Sequence, residues 1–186
     1  MSIGNGQEVP VACVILTKAT AGTGNFVTAE RLAECVYNAA QRKCVVVEES
    51  QFKTPADFSH WLDENGVVFV LGVHAYRAGR LLFDCGVSYG IVLGGTDVNV
   101  DMQSPSPKRD VCIRSIMQAL FVVAFSQEMV DRLKPVLFSC LPSASHVDSV
   151  LQNVRVVHQA VSIPQEIIRG ETGATPRIHE CKIAMH

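Results

Sequence analysis

Short, largely apolar segments rich in β-branched residues recur along this chain, and they constrain its fold more than any other feature. They are "VPVACVILT" (9–17), "CVVVEES" (44–50), "VVFVLGV" (67–73), "YGIVLGG" (89–95), "LFVVAFS" (120–126) and "VRVVHQAV" (154–161). None alternates apolar with polar residues, as a strand with one wet face does. Helical stretches separate them. That order specifies an α/β fold, a mostly parallel sheet covered by helices on both faces with right-handed crossovers. In such sheets ligands bind beyond the carboxyl ends of the strands, where the strand order reverses.

The intervening helices are legible from spacing and caps. Residues 26–43 carry Val27, Leu32, Cys35, Val36 and Ala39 at helical intervals, with Thr28 a candidate cap. In 54–66, Pro55 suits a first turn and Gly66 suits the position just past a helix end. A loop at 74–86 runs into a helix, 110–119 is helical, 127–137 is a helix expected to break near Pro135, and 145–153 is a short helix. The last stretch, "QEIIRGETGATPRIHECKIAMH" (165–186), has no clear period and reads as an irregular, loosely packed tail.

The 186 residues suit one domain, and the net charge of −2 leaves no basic surplus for general phosphate binding, so nucleic acid is not an expected partner. No apolar window reaches the roughly 18 residues that a spanning helix needs, and the polar, unbasic start carries no signal-peptide pattern. The seven cysteines are odd in number and widely spaced, with no CxxC pair, which fits reduced thiols in a cytoplasmic chain. His146, His158, His179 and His186 show no metal-ligand spacing, and His60 and Trp61 read as structural or superficial.

Three segments fall at carboxyl ends of expected strands. "TAGTGN" (20–25) places Gly22, Thr23, Gly24 and Asn25 where backbone N–H groups and a helix start can approach a ligand, although a plain flexible turn is equally consistent with it. It matches neither GxGxxG nor a Walker loop. "HAYRAGR" (74–80) brings His74, a proton carrier near neutral pH, beside Arg77 and Arg80, cations able to fork onto carboxylate or phosphate; a structural histidine and a packing role for Tyr76 are the plain alternatives. "GGTDVN" (94–99) offers Gly94 and Gly95 as space, with Thr96, Asp97 and Asn99 as hydroxyl, carboxylate and amide for a polyhydroxylated or amine-bearing ligand. There Asp97 would act as a base or orient one, and the alternative is a turn or cap.

"TGNFVTAERLAECV", "HAYRAGRLL", "GIVLGGTDVNVD" and "FVVAFSQEM", in that order, resemble the amino-terminal half of GT-B glycosyltransferases of the group-1/family-4 type, over roughly 11–164. The ordered set is more specific than any one motif. The resemblance implies a Rossmann-like, doubly wound domain over 1–164 that holds the acceptor. It faces a second domain that binds a nucleotide sugar and carries an E-x7-E-type motif. It further implies that Gly22, Thr23, Gly24 and Asn25 form the glycine loop of the cleft. His74, Arg77 and Gly79 line the next loop, and Gly94, Gly95, Thr96 and Asp97 the one after. His74 and Asp97 are the catalytic candidates from the residue chemistry above. Where many relatives have His-Gly-Thr-Asp, this chain has Gly94-Gly95-Thr96-Asp97 and so lacks that histidine.

The function implied is retaining, metal-independent hexosyl transfer from a nucleotide sugar to a small-molecule acceptor, with no resident cofactor. After "HQAVSIP" the resemblance ends and no E-x7-E segment appears, so the expectation is a truncated form, inactive alone. Its face toward the second domain would be apolar and prone to self-association. Two other readings stand beside it: a non-catalytic binding or regulatory fragment, and an independent nucleotide-binding Rossmann module.

Overall fold

A computed structural model describes residues 13–18, 23–40 and 43–158. Gly22, the 164/165 boundary, the tail at 165–186 and Cys181 lie outside the described residues. Within them the elements are β1 (Cys13–Thr17), α1 (Gly24–Ala40), β2 (Cys44–Glu48), α2 (Pro55–Glu64), β3 (Phe69–Val73), α3 (Gly79–Leu82), β4 (Ser88–Val92), α4 (Pro107–Gln118), β5 (Val122–Ala124), α5 (Gln127–Cys140), α6 (Ala144–Gln152) and β6 (Val154–Val156). A 3₁₀ turn, Glu49–Gln51, follows β2, and a π-helical turn, Asp97–Asp101, follows β4.

The six strands form one sheet in the order β2-β1-β3-β4-β5-β6, and every pairing is parallel. The expected α/β, Rossmann-like architecture is therefore present. Helices α2 to α6 bury Phe58, Leu62, Leu82, Ile116, Leu137 and Val147 with Val14, Leu16, Val70 and Ile91 on one face. Helix α1 buries Ala29 against Ile15, Leu71, Val73 and Val92 on the other, with Leu32, Ala33 and Val36 beside them. Burial on both faces is why the central strands β1, β3 and β4 read as unbroken apolar runs. From β1 the chain moves outward to β2, then returns to β3 on the other side of β1. The order thus reverses between β1 and β3, and the carboxyl ends of those strands flank the crevice where such sheets take ligands.

Local chemistry sets the helix limits. The Thr54 hydroxyl accepts the Asp57 N–H at 3.1 Å while the Asp57 carboxylate accepts the Thr54 N–H at 3.0 Å, a reciprocal cap followed by Pro55. Gly66 then leaves α2 at φ 61°, a left-handed conformation that favours glycine. Phe52, Phe58 and Trp61 pack together below, with ring centroids 4.9 to 6.4 Å apart.

Two expectations are corrected. Thr28 is inside α1, because the helix starts at Gly24 and the Thr23 carbonyl already accepts the Val27 N–H at 3.1 Å. The polar first turn hid that start from an apolar pattern. Helix α5 does not break near Pro135 but runs to Cys140. An interior proline costs about 3 kcal/mol. Pro135 faces solvent while Val130, Leu133, Val136 and Leu137 are buried, each worth roughly 1.5–3 kcal/mol, so packing outweighs the lost N–H.

Candidate functional site

The end of β3 makes the sharpest local demand. His74 follows it at φ 81°, a conformation that costs a non-glycine residue roughly 1–3 kcal/mol, and it is only 3 % exposed. Its N–H donates to the Val92 carbonyl at 2.9 Å, and its carbonyl accepts the Ala78 N–H at 3.1 Å. The imidazole therefore sits under the β3 and β4 ends. Nδ1 accepts the Arg77 N–H at 3.4 Å, which places the proton of the neutral ring on Nε2, 3.7 Å from Oδ2 of Asp101. Burial lowers the pKa of His74 despite the raising influence of Asp97 and Asp101.

Asp97 holds the neighbouring loops together. It is fully buried, and its Oδ2 accepts the Ala75 N–H at 2.7 Å and the Gly94 N–H at 3.0 Å, while Oδ1 accepts the Val98 N–H at 2.9 Å. Oδ2 also lies 3.9 Å from His74 Nδ1. One carboxylate thus joins the loop after β3 to the loop after β4. Burial raises its pKa against the opposing effect of His74 and these three donors. Of the hydroxyl and carboxylate expected to meet a ligand, that of Thr96 is on an exposed residue but that of Asp97 points inward, because three backbone donors draw it into the protein.

Gly94 marks where the three segments meet, and it is buried there, so it does not open the space expected of it. A Cβ there would lie 3.5 Å from Asp97 Oδ1, 3.5 Å from His74 Cδ2 and 3.8 Å from Asn25 Oδ1. The start of α1 and the ends of β3 and β4 therefore converge on one residue. A Cβ on Gly24 would meet nothing within 4 Å, so this corner of the α1 start is open. Gly95 and Thr96 are exposed beside it.

Other expected residues sit elsewhere. Gly79 is buried, and a Cβ there would come within 2.7 Å of Ser115 Oγ, so its smallness lets α3 approach α4 rather than lining the site. Ser115 in turn donates to the Ala75 carbonyl at 3.0 Å and steadies the loop from below. Asn99 is exposed and accepts from Arg132 Nη1 at 2.9 Å. Arg77 and Arg80 both face Glu49: Arg80 pairs with its carboxylate, and Arg77 Nη1 is 3.6 Å away. Because β1 lies between β2 and β3, this ion cluster crosses the top of β1.

The sequence reading gave no role to Glu49, Asp101, Lys108 or Ser115. Glu49 directly follows β2, so the strand-end rule that selected His74 would have found it. Asp101 is one helical turn beyond Asp97. It pairs with His74 and, at 3.7 Å, with Lys108, whose ammonium lies 5.3 Å from the centre of the Tyr76 ring. Tyr76 packs against the core, as expected. Among the described residues no cluster of three or more His, Cys, Asp or Glu side chains is arranged to hold a metal, and no helix is long and apolar enough to cross a membrane.

The fold and these strand-end loops define an α/β domain with a candidate small-ligand site at its topological switch. Comparison with curated proteins adds a relative: the chain is 29 % identical over 126 residues to Glycosyltransferase 1 domain-containing protein 1 of Xenopus tropicalis. The match covers 68 % of this chain and 34 % of the relative, so the chain spans about a third of the relative it matches. The similarity supports a glycosyltransferase-like protein. No family model matches the chain.

Proposed function

We propose that this domain is the acceptor-side half of a GT-B glycosyltransferase-like protein, and that a small polyhydroxylated acceptor sits over the exposed Gly95 and Thr96 at the Gly94 junction, beside Asn25 and the His74 loop. One observation carries the reading: the α1 start and the β3 and β4 ends converge on Gly94 at the strand-order reversal. The partial similarity to a glycosyltransferase domain protein supports it.

In this proposal His74 and Asp97 position the loops. Both ring nitrogens and both carboxylate oxygens face protein groups, so neither is aimed outward for proton exchange with a ligand. Glycosyl transfer also requires charge stabilisation on the departing nucleotide diphosphate. We assign that task to a donor-binding domain of the GT-B type, and this chain alone then has negligible transferase activity. The purified chain, incubated with a panel of radiolabelled nucleotide sugars and simple acceptors, should give no transfer above background; robust turnover would refute the assignment. The same inward-facing groups favour a second reading, a non-catalytic binding domain. Thermal-shift screening separates these two from a dinucleotide module, because stabilisation by NAD alone fits neither of them.

A further inference from the structure

At the opposite end of the sheet from the candidate site, β1 and the edge strand β2 begin with a cysteine each. Cys13 and Cys44 are direct partners in the parallel register, so both side chains project to the same face, the one covered by α1. Cys13 is 6 % exposed, whereas Cys44, the first residue of an edge strand, is only partly buried. Paired strands lie about 4.8 Å apart, inside the roughly 4.4–6.8 Å Cα window of disulfides.

We propose that Cys13 and Cys44 are a dithiol modification site that takes two electrons' worth of oxidation from a small disulfide and closes into an intrachain bond. The Cys44 thiolate attacks one sulfur of the oxidant, forming a mixed disulfide and expelling one small thiolate. Cys13 then loses its proton and attacks Cys44 sulfur, which expels the second thiolate. The protein loses two electrons and the oxidant gains them. The order follows from access, since only Cys44 reaches the surface. It also agrees with the interaction between the two neighbouring thiols, which lowers the pKa of Cys44 and raises that of Cys13. Side chains at directly paired parallel positions run side by side rather than toward each other. The closed bond therefore twists the edge strand and is readily reduced, as strained disulfides are. Two of the other described cysteines, Cys85 and Cys112, are less suited: both are buried and their thiols are pushed up by desolvation.

The test treats the full chain with glutathione disulfide, blocks remaining thiols by alkylation, and maps tryptic peptides by mass spectrometry. Cleavage at Lys18, Arg31, Arg42 and Lys43 puts Cys13, Cys35 and Cys44 on separate peptides. The expected product is a 13–44 cross-link that disappears under mild reductant while α/β circular dichroism is unchanged. In Cys13→Ala, Cys44 should keep a stable glutathione adduct; in Cys44→Ser, Cys13 should stay unmodified. A stable glutathione adduct on Cys44 of the unaltered chain with no cross-link overturns the proposal, as does modification of Cys13 in Cys44→Ser. Cys44→Ser decides the matter even where Cys13→Ala fails to fold. Ligand binding at the far end of the sheet is not involved, so either outcome leaves the proposed function to its own tests.

Discussion

Asp97 is the residue whose removal tests the site's construction most severely. Replacement by alanine leaves the N–H groups of Ala75, Gly94 and Val98 without their acceptor in a fully buried position. An unsatisfied buried donor costs about 1–3 kcal/mol, so three would cost roughly 3–9 kcal/mol with no relaxation. Rearrangement of the glycine loop toward water reduces this, and we expect about 3–5 kcal/mol, at the upper end for point substitutions. Asp97→Asn keeps one carbonyl oxygen. Placed at the Oδ2 position it still accepts from Ala75 and Gly94, but it sets an NH₂ against the Val98 N–H. The loss should then be about 1–3 kcal/mol. Urea unfolding followed by circular dichroism and Trp61 fluorescence measures both. The order alanine worse than asparagine worse than unaltered is the expected result. An Asp97→Ala chain within about 0.5 kcal/mol of the original, the range of ordinary surface changes, would show that the carboxylate does not tie the loops.

Glycine substitutions separate site from scaffold. Gly94→Ala brings its buried Cβ only to ordinary contact distance, 3.5 Å from Asp97 and His74, so stability should change little, whereas Gly95→Leu on the exposed side should lower ligand binding. Gly79→Ala meets Ser115 at 2.7 Å and should instead lose roughly 1–3 kcal/mol of stability, read by the same urea titration. His74 makes stability depend on pH. Burial holds its folded-state pKa below the ordinary 6.5. Below that pH the unfolded chain binds more protons at this residue than the folded chain does. Its contribution is therefore complete above pH 6.5 and is lost as pH falls through and below that value. The difference between the stability profiles of the unaltered chain and His74→Gln should show this loss on acidification; parallel profiles would remove His74 as its source.

The fold was largely legible because the central strands β1, β3 and β4 are buried on both faces and so print unbroken apolar runs, whereas the edge strand β6 exposes Arg155 and Val156. Strand order was not, since nothing in β1, β2 or β3 taken singly says that β3 returns to the far side of β1. The loops at 20–25, 74–80 and 94–99 were selected as strand ends, and Asn25, His74 and Gly94 do meet. What each side chain does there was hidden. The direction of Asp97 depends on three N–H groups presented by two loops, and the packing of Gly79 depends on Ser115, thirty-six positions away in sequence. Glu49 stands at a strand end, but its pairing with Arg77 and Arg80 is not legible, because they reach it across β1.

Backbone amide chemical shifts recorded during titration with free sugars and nucleotide sugars test the central claim most directly, because they locate any binding residue by residue. The account predicts that the perturbed amides cluster at Asn25, at His74 to Arg77 and at Gly94 to Asn99, and that Gly95→Leu abolishes the response. Perturbations centred on the opposite end of the sheet, or a response to NAD and to no sugar-bearing probe, would contradict it.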